Sequence, residues 1–435
     1  MVLKWQRDIL RFYSYNLTQI DKKGFYMFRK SMLFFIFIYI VVLYTGCGSS
    51  GSTSDDTSSS SENDVVRMLA VEPLENDRNV VIGSGYFMLK EDSPKYEALV
   101  PYFQGDINGS YLSTILENAS IQFSVDVPDD TVTYGTVAGK TIEYVGFIFY
   151  PTKYNKDYKP LQITDGWNHP STYTQMENSV DATPIFEDIT KKYPLLVYSH
   201  GSNGEIMTAG LQMKTFASHE YVVLALFHGD GRFSDRSNEV AALRTLSIQK
   251  ALDFIEKSKY ASHIDFKKIG VFGNSFGGTT SFMLAGAKPI DAVKQDGSVL
   301  ENVVADPRIV VAGAIEPYMG DESGIYPNIN GKQVTFFGYD SKGAYNITTP
   351  YLAVSGTDDT TASERFTKEV LLKSPQNNHL VSMEGESHEM TPNGSVTADT
   401  WVYYFLNYHL KGDDTFLKMK EVTGQPVDTY IPLSN

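Results

Sequence analysis

Cysteine is nearly absent: the 435-residue chain has one, Cys47. An intrachain disulfide is therefore impossible, and a zinc–thiolate centre or a catalytic cysteine beyond residue 47 is excluded. Positive charge is also scarce. Lys and Arg number 37 against 52 Asp and Glu, a formal net charge of −15, which argues against nucleic acid as a partner. The imbalance is uneven: residues 1–47 hold seven basic and two acidic residues, so they carry +5 and the remainder −20. No internal repeat marks a solenoid or propeller. With 42% hydrophobic and 20% charged residues, the chain can build a large core in one or two domains.

The most continuous apolar run lies near the N-terminus. Phe28-Arg29-Lys30 precedes the nearly all-apolar Met32–Leu43, which ends in Tyr44-Thr45-Gly46-Cys47. A positive start, a short apolar core and small residues at its end describe a secretory signal. The small-small-Cys ending resembles the bacterial lipoprotein signal, with Tyr44 where leucine is usual. That resemblance implies lipidation of Cys47 and a place in the bacterial cell envelope, held at the membrane and facing periplasm or exterior. The alternative is an uncleaved apolar anchor, although the run is short for a span of about 20 residues. Met27 makes a better start for such a signal than Met1, and residues 1–26 have no place in it. The Ser/Gly/Asp tract at 48–64 forms a flexible tether.

Residues 65–140 carry no motif. Val80-Val81-Ile82, Ile121-Gln122-Phe123-Ser124-Val125 and Thr131-Val132-Thr133-Tyr134 are strand candidates between turn residues, giving either a small β-rich N-terminal region packed on the main domain or an insertion near its mouth. From 141 to 435 strand and helix patterns alternate. The strand candidates are Ile142–Tyr150, Leu195–Tyr198, Tyr221–Phe227, Ile269–Phe272, Ile309–Ile315, Tyr351–Ser355 and His379–Met383. Several are unbroken apolar runs, as strands covered on both faces require. Glu239–Lys257 has Val240, Leu243, Ile248, Ala251, Phe254 and Ile255 on one helical stripe. Ala362–Leu372 and Trp401–Leu410 are further helix candidates. The expectation is an α/β domain with a mainly parallel central sheet and helices on both faces. In such sheets reactive groups gather at the carboxyl ends of the strands.

One such end carries Gly273-Asn274-Ser275-Phe276-Gly277-Gly278, between an apolar strand and a helix-like stretch. In a Gly-x-Ser-x-Gly turn of this kind the serine is held out at the end of the sheet, and the glycines are needed because their neighbours crowd them. A lone motif of this type is weak in a chain with 34 glycines, but further elements follow. Pro194–Ser199 runs into His200-Gly201-Ser202-Asn203-Gly204, a loop able to aim a backbone N–H at a developing oxyanion. Phe276, after the serine, supplies one such donor and Ser202 the other. Tyr351–Ser355 runs into Gly356-Thr357-Asp358-Asp359, where strand spacing favours Asp359 over Asp358 as the acid that orients a histidine. His379–Met383 runs into Glu384-Gly385-Glu386-Ser387-His388, and a histidine in a loop just past a strand can swing over the nucleophile as general base. His169, His219, His263 and His409 have no such context.

The order Ser275, Asp359, His388 resembles the α/β-hydrolases from about residue 141 to the end. Gly-x-Ser-Phe-Gly-Gly, with Ser-His-Gly upstream, is similar to the platelet-activating-factor acetylhydrolase and dienelactone-hydrolase-like branch. Gly356-Thr357-Asp358-Asp359-Thr360-Thr361-Ala362 and Gly385-Glu386-Ser387-His388 resemble the cutinase-type polyester hydrolases. The closing Tyr408-His409-Leu410-Lys411-Gly412-Asp413 is another ending common in this group. Dienelactone hydrolases use cysteine where this chain has Ser275. The acetylhydrolases take their acid from the preceding strand, where this chain has Glu316, the reserve acid.

The resemblance implies a serine carboxylic-ester hydrolase, esterase- or lipase-like, that needs no metal or organic cofactor. Its substrate would be a small-molecule or lipid-like ester of moderate apolarity. An acetylhydrolase-type phospholipase, a polyester hydrolase, an amidase or peptidase, and an inactive binding module of the same fold remain alternatives. The loop around Asp230 and Arg232 and the long connection at 318–349 are expected to shape the mouth of the site.

Overall fold

The apolar runs become strands whose side chains alternate between two cores. Leu195, Val197, Leu224, Val271, Ala312 and Ala353 belong to one buried cluster; their neighbours Leu196, Tyr198, Val223, Phe272, Val311 and Leu352 belong to the other. Period-two alternation places one set on each face of a sheet. In the computed structural model, residues 71–433 are described apart from 78, 91–115, 164–171, 203, 205–208, 234–236, 321–328, 330–333, 376–377 and 422–427. The described residues belong to a unit spanning Val65–Asn435. The expected signal, Cys47 and the expected tether lie outside them. Among the described residues no helix is long and apolar enough to cross a membrane.

The strands in chain order are β1 Val81–Ser84, β2 Phe87–Leu89, β3 Leu116–Ala119, β4 Ile121–Asp126, β5 Thr141–Thr152, β6 Lys159–Ile163, β7 Thr172–Met176 and β8 Tyr193–Ser199. They continue as β9 Val222–Phe227, β10 Ile264–Asn274, β11 Ile309–Ile315, β12 Val334–Thr335, β13 Gly338–Tyr339, β14 Tyr351–Gly356, β15 Asn378–Met383 and β16 Asp428–Leu433. Twelve of them form one sheet in the order β16-β15-β14-β11-β10-β8-β9-β5-β1-β7-β6, with β4 also paired to β5. From β15 to β9 every pairing is parallel. The fold is thus mixed α/β with a large, mainly parallel sheet.

The longer helices are α1 Gly210–Ser218, α2 Ser237–Ile255, α3 Phe276–Leu284, α4 Glu364–Lys373, α5 Pro392–Lys411 and α6 Thr415–Glu421. Side chains of α2, α3 and α4 fill the first core, and those of α1, α5 and α6 fill the second, so both faces are covered. α5 starts with Thr391 accepting from the Gly394 N–H and Pro392 at its first position; it stops at Gly412, in a left-handed conformation.

Two features of the 65–140 region differ from or extend the sequence reading. Thr131–Tyr134 is a helical turn and no strand. The Asp130 carboxylate accepts from the Val132 and Thr133 N–H groups at 3.1 and 3.2 Å, and this cap overrides the extended preference of a β-branched run. β4 and β1, in turn, pair with successive halves of β5 and so belong to the large sheet.

Candidate active site

The parallel strands all end at the same edge of the sheet. Ser275 follows β10, Glu316 follows β11, Asp359 lies three residues beyond β14, and His388 lies five residues beyond β15. The loop starting at His200 follows β8, and His228-Gly229-Asp230 follows β9.

Ser275 sits between β10 and α3 with φ 54° and ψ −121°. A non-glycine residue held there costs about 1–3 kcal/mol. The turn is tight because β8 presses against it. A Cβ on Gly277 would lie 1.9 Å from the Ser199 carbonyl oxygen, and one on Gly273 would lie 2.4 Å from the same atom. Glycine at both positions is therefore a packing requirement. The Ser275 N–H donates to the Ile315 carbonyl at 2.9 Å, which ties the turn to β11.

The Ser275 hydroxyl lies 3.1 Å from His388 Nε2, and His388 Nδ1 lies 2.8 Å from Asp359 Oδ2. A carboxylate only accepts, so Nδ1 carries the hydrogen and Nε2 is free to accept from the serine. Asp359 is buried, and its other oxygen accepts from the Thr361 and Ala362 N–H groups at 2.8 and 2.7 Å. Those bonds fix its carboxylate plane. Asp358 is exposed, and its N–H donates to the Glu386 carbonyl at 3.0 Å. The loop backbone thus turns Asp359, and not Asp358, toward the histidine.

Glu316 lies near the same ring nitrogen of the histidine. Its Oε2 is 4.0 Å from His388 Nδ1, and Oε1 is buried with no hydrogen-bond partner among the described residues. Burial, then the negative charge of Asp359, pushes its carboxyl up to about 10, so it keeps its proton near neutrality. Ligand atoms of Glu316, Asp359 and His388 lie within 4.8 Å of one another, close enough for a cation to bridge. Asp359 already engages Nδ1 at 2.8 Å, so the geometry favours the hydrogen-bond chain.

The raised Glu316 titration makes a stability prediction. An unfolded glutamate titrates near about 4.3, so between there and about 10 the folded state holds a proton that the unfolded chain has lost. Stability from this group is present below that range and declines as pH rises through it, by up to about 1.4 kcal/mol per pH unit. Glu316→Gln abolishes the decline. In thermal unfolding at several pH values the variant is expected to gain on the wild type as pH rises. Parallel curves would show that the carboxyl is not held neutral.

Phe276 is the first residue of α3, so its N–H has no acceptor within the helix. Ser202 is exposed in the loop after β8. A methyl on the preceding Gly201 would stand 3.5 Å from the Ser275 Cβ, so that loop flanks the serine. Phe276, Tyr318 and Phe336 form an edge-to-face trio with centroids 5.7–6.4 Å apart. Much of the 318–349 connection lies outside the described residues, but Phe336 and Phe337 are fully buried. An open groove of about 570 Å³ elsewhere, lined by Phe123, Phe254 and Lys259 among others, shares no residue with this site.

Sequence reasoning missed Arg244. It is buried on α2 and pairs with Asp230 through Nε at 2.9 Å and through Nη2. Arg232 instead braces the turn, donating to the His228 carbonyl at 2.9 Å and to the Glu143 carbonyl at 2.8 Å. His200 and His228 are buried beside Arg244. Burial, then the Arg244 charge, takes His200 down to about 4, and the same two causes hold His228 well below its ordinary value. Both are neutral.

No family model matches the chain, and no curated protein matches it. The functional reading therefore rests on the geometry that joins Ser275, His388 and Asp359.

Proposed function

We propose that the protein is a serine carboxylic-ester hydrolase with an α/β-hydrolase fold, acting on a moderately apolar ester such as a lipid acyl ester. The observation that carries this is the unbroken hydrogen-bond chain from the Ser275 hydroxyl through His388 to Asp359, starting from a strained turn. Ser275 Oγ attacks the ester carbonyl carbon while His388 Nε2 takes the hydroxyl proton. The carbonyl electron pair moves onto oxygen, where the N–H groups of Phe276 and Ser202 receive it. Collapse breaks the bond to the alkoxide, which leaves with the proton from His388. Water, deprotonated by the same imidazole, then attacks the acyl-enzyme. The acid departs and Ser275 regains its hydrogen.

A neutral Glu316 fits this cycle. It leaves Asp359 as the charge paired with the imidazolium, so the proton is not held too tightly for return to the leaving group. The aromatic trio supports an apolar acyl or alcohol portion. The sequence of residues 27–47 supports tethering at the cell envelope through lipid on Cys47 or through an apolar anchor.

The test is a p-nitrophenyl ester series of increasing acyl length, set against the matching anilides and a fluorophosphonate probe. Ester turnover far above anilide turnover, with Ser275 labelled, is expected. Comparable anilide rates would favour an amidase. Absence of both turnover and labelling would leave a binding module of the same fold.

A further inference from the structure

We propose that Arg244 is a positioning residue for the oxyanion: it fixes and polarises the Gly201–Ser202 peptide, whose N–H is one of the two donors in the mechanism above. The inference rests on the ester-hydrolase reading and assigns the part of the protein that prepares one of those donors.

Arg244 reaches from α2 to the loop after β8. Its Nη1 donates to the His200 carbonyl at 2.6 Å and Nη2 to the Gly201 carbonyl at 2.8 Å. Two more groups converge on that same Gly201 oxygen, His200 Nδ1 at 2.8 Å and the Gly204 N–H at 3.2 Å. The His200 tautomer is set from behind: its Nε2 accepts from the His228 N–H at 3.2 Å, which leaves the hydrogen on Nδ1.

Three donors on one carbonyl have a geometric consequence. Among the described residues no peptide bond is cis, so the Gly201 C=O and the Ser202 N–H point in opposite directions across one rigid plane. Holding the oxygen against Arg244 aims the hydrogen away from it. There is also an electronic consequence. A charge-assisted bond to the oxygen draws density from the amide and strengthens its N–H as a donor, by an order of 10–30% per bond.

The guanidinium is itself locked. Nε and Nη2 also bind Asp230, so both ends of the planar fork are engaged. Its Cζ lies 4.9 Å from the centre of the Phe276 ring. The residues that supply the two oxyanion donors are thus referenced to a single buried cation, and such pre-set dipoles stabilise a transition state without reorganisation.

Two variants test this. Arg244→Lys keeps the charge and loses the fork. Arg244→Gln combined with Asp230→Asn removes both charges, so neither is left buried alone. Each is assayed on an ester and on its thionoester, in which sulfur replaces the carbonyl oxygen and accepts hydrogen bonds poorly. The expected result is a roughly 10- to 100-fold fall in kcat on the ester, part of the 100- to 1,000-fold that a whole donor contributes. KM stays within about twofold, and the preference for ester over thionoester shrinks in step with kcat. That preference does not depend on how much of the variant is folded. Equal losses on both substrates would overturn the proposal and make Arg244 a packing residue, as would unchanged kcat. A wild type that hydrolyses no ester overturns the hydrolase reading itself, a separate result.

Discussion

Ser275→Ala is expected to lower ester turnover by between about ten-thousand-fold and a million-fold and to leave thermal unfolding nearly unchanged. Both halves of this result follow from the turn. The serine side chain makes no capping bond to α3, and the hydrogen bond lost is the one to His388. Alanine carries the same Cβ and meets the same backbone strain at φ 54°, so the fold loses little. On the ester-hydrolase reading, the reaction loses its nucleophile. Steady-state p-nitrophenyl ester assays beside a melting curve check the pair of outcomes. Activity within tenfold of wild type would remove Ser275 from the chemistry, since positioning and oxyanion contacts alone leave only a small residue of catalysis.

Asp359→Asn is the second large effect, a fall of roughly ten-thousand-fold in kcat. An asparagine amide facing His388 Nδ1 competes as a donor and favours the tautomer that cannot accept from serine. Glu316→Gln, in contrast, replaces an already neutral group 4.0 Å from Nδ1 and is expected to change kcat by less than about tenfold. The two are read together on one substrate across a pH series. A reversal, with Glu316→Gln abolishing turnover and Asp359→Asn sparing it, would transfer the acid's role to Glu316.

The legible parts of the site share a property: each is announced by local backbone chemistry. Ser275 stands between glycines because the Ser199 carbonyl leaves no room for a side chain at Gly273 or Gly277. The parallel strands were visible because residues such as Leu195-Leu196-Val197 are buried on both faces. The Thr361 and Ala362 amides hold the Asp359 carboxylate while Asp358 stays exposed, and strand spacing favours the same residue. Arg244 left no local mark. It lies in an apolar stripe of α2, and its partners, Asp230 and the carbonyls of His200 and Gly201, come from elsewhere in the chain. Glu316's neutrality is likewise a property of burial among carboxylates and not of its sequence context. At Thr131–Tyr134 a single capping aspartate reversed what residue propensity indicated.

One consequence reaches beyond the active site. β5 pairs on one edge with β9, and on the other with β4 over 141–146 and β1 over 149–152. A polypeptide begun at residue 141 would present that second edge bare, a row of unpaired N–H and C=O groups long enough to recruit a strand from another molecule. β1 and β4, both from the motifless segment upstream, cover that edge. The change in sequence character at 141 is a seam in composition, and the sheet runs straight across it.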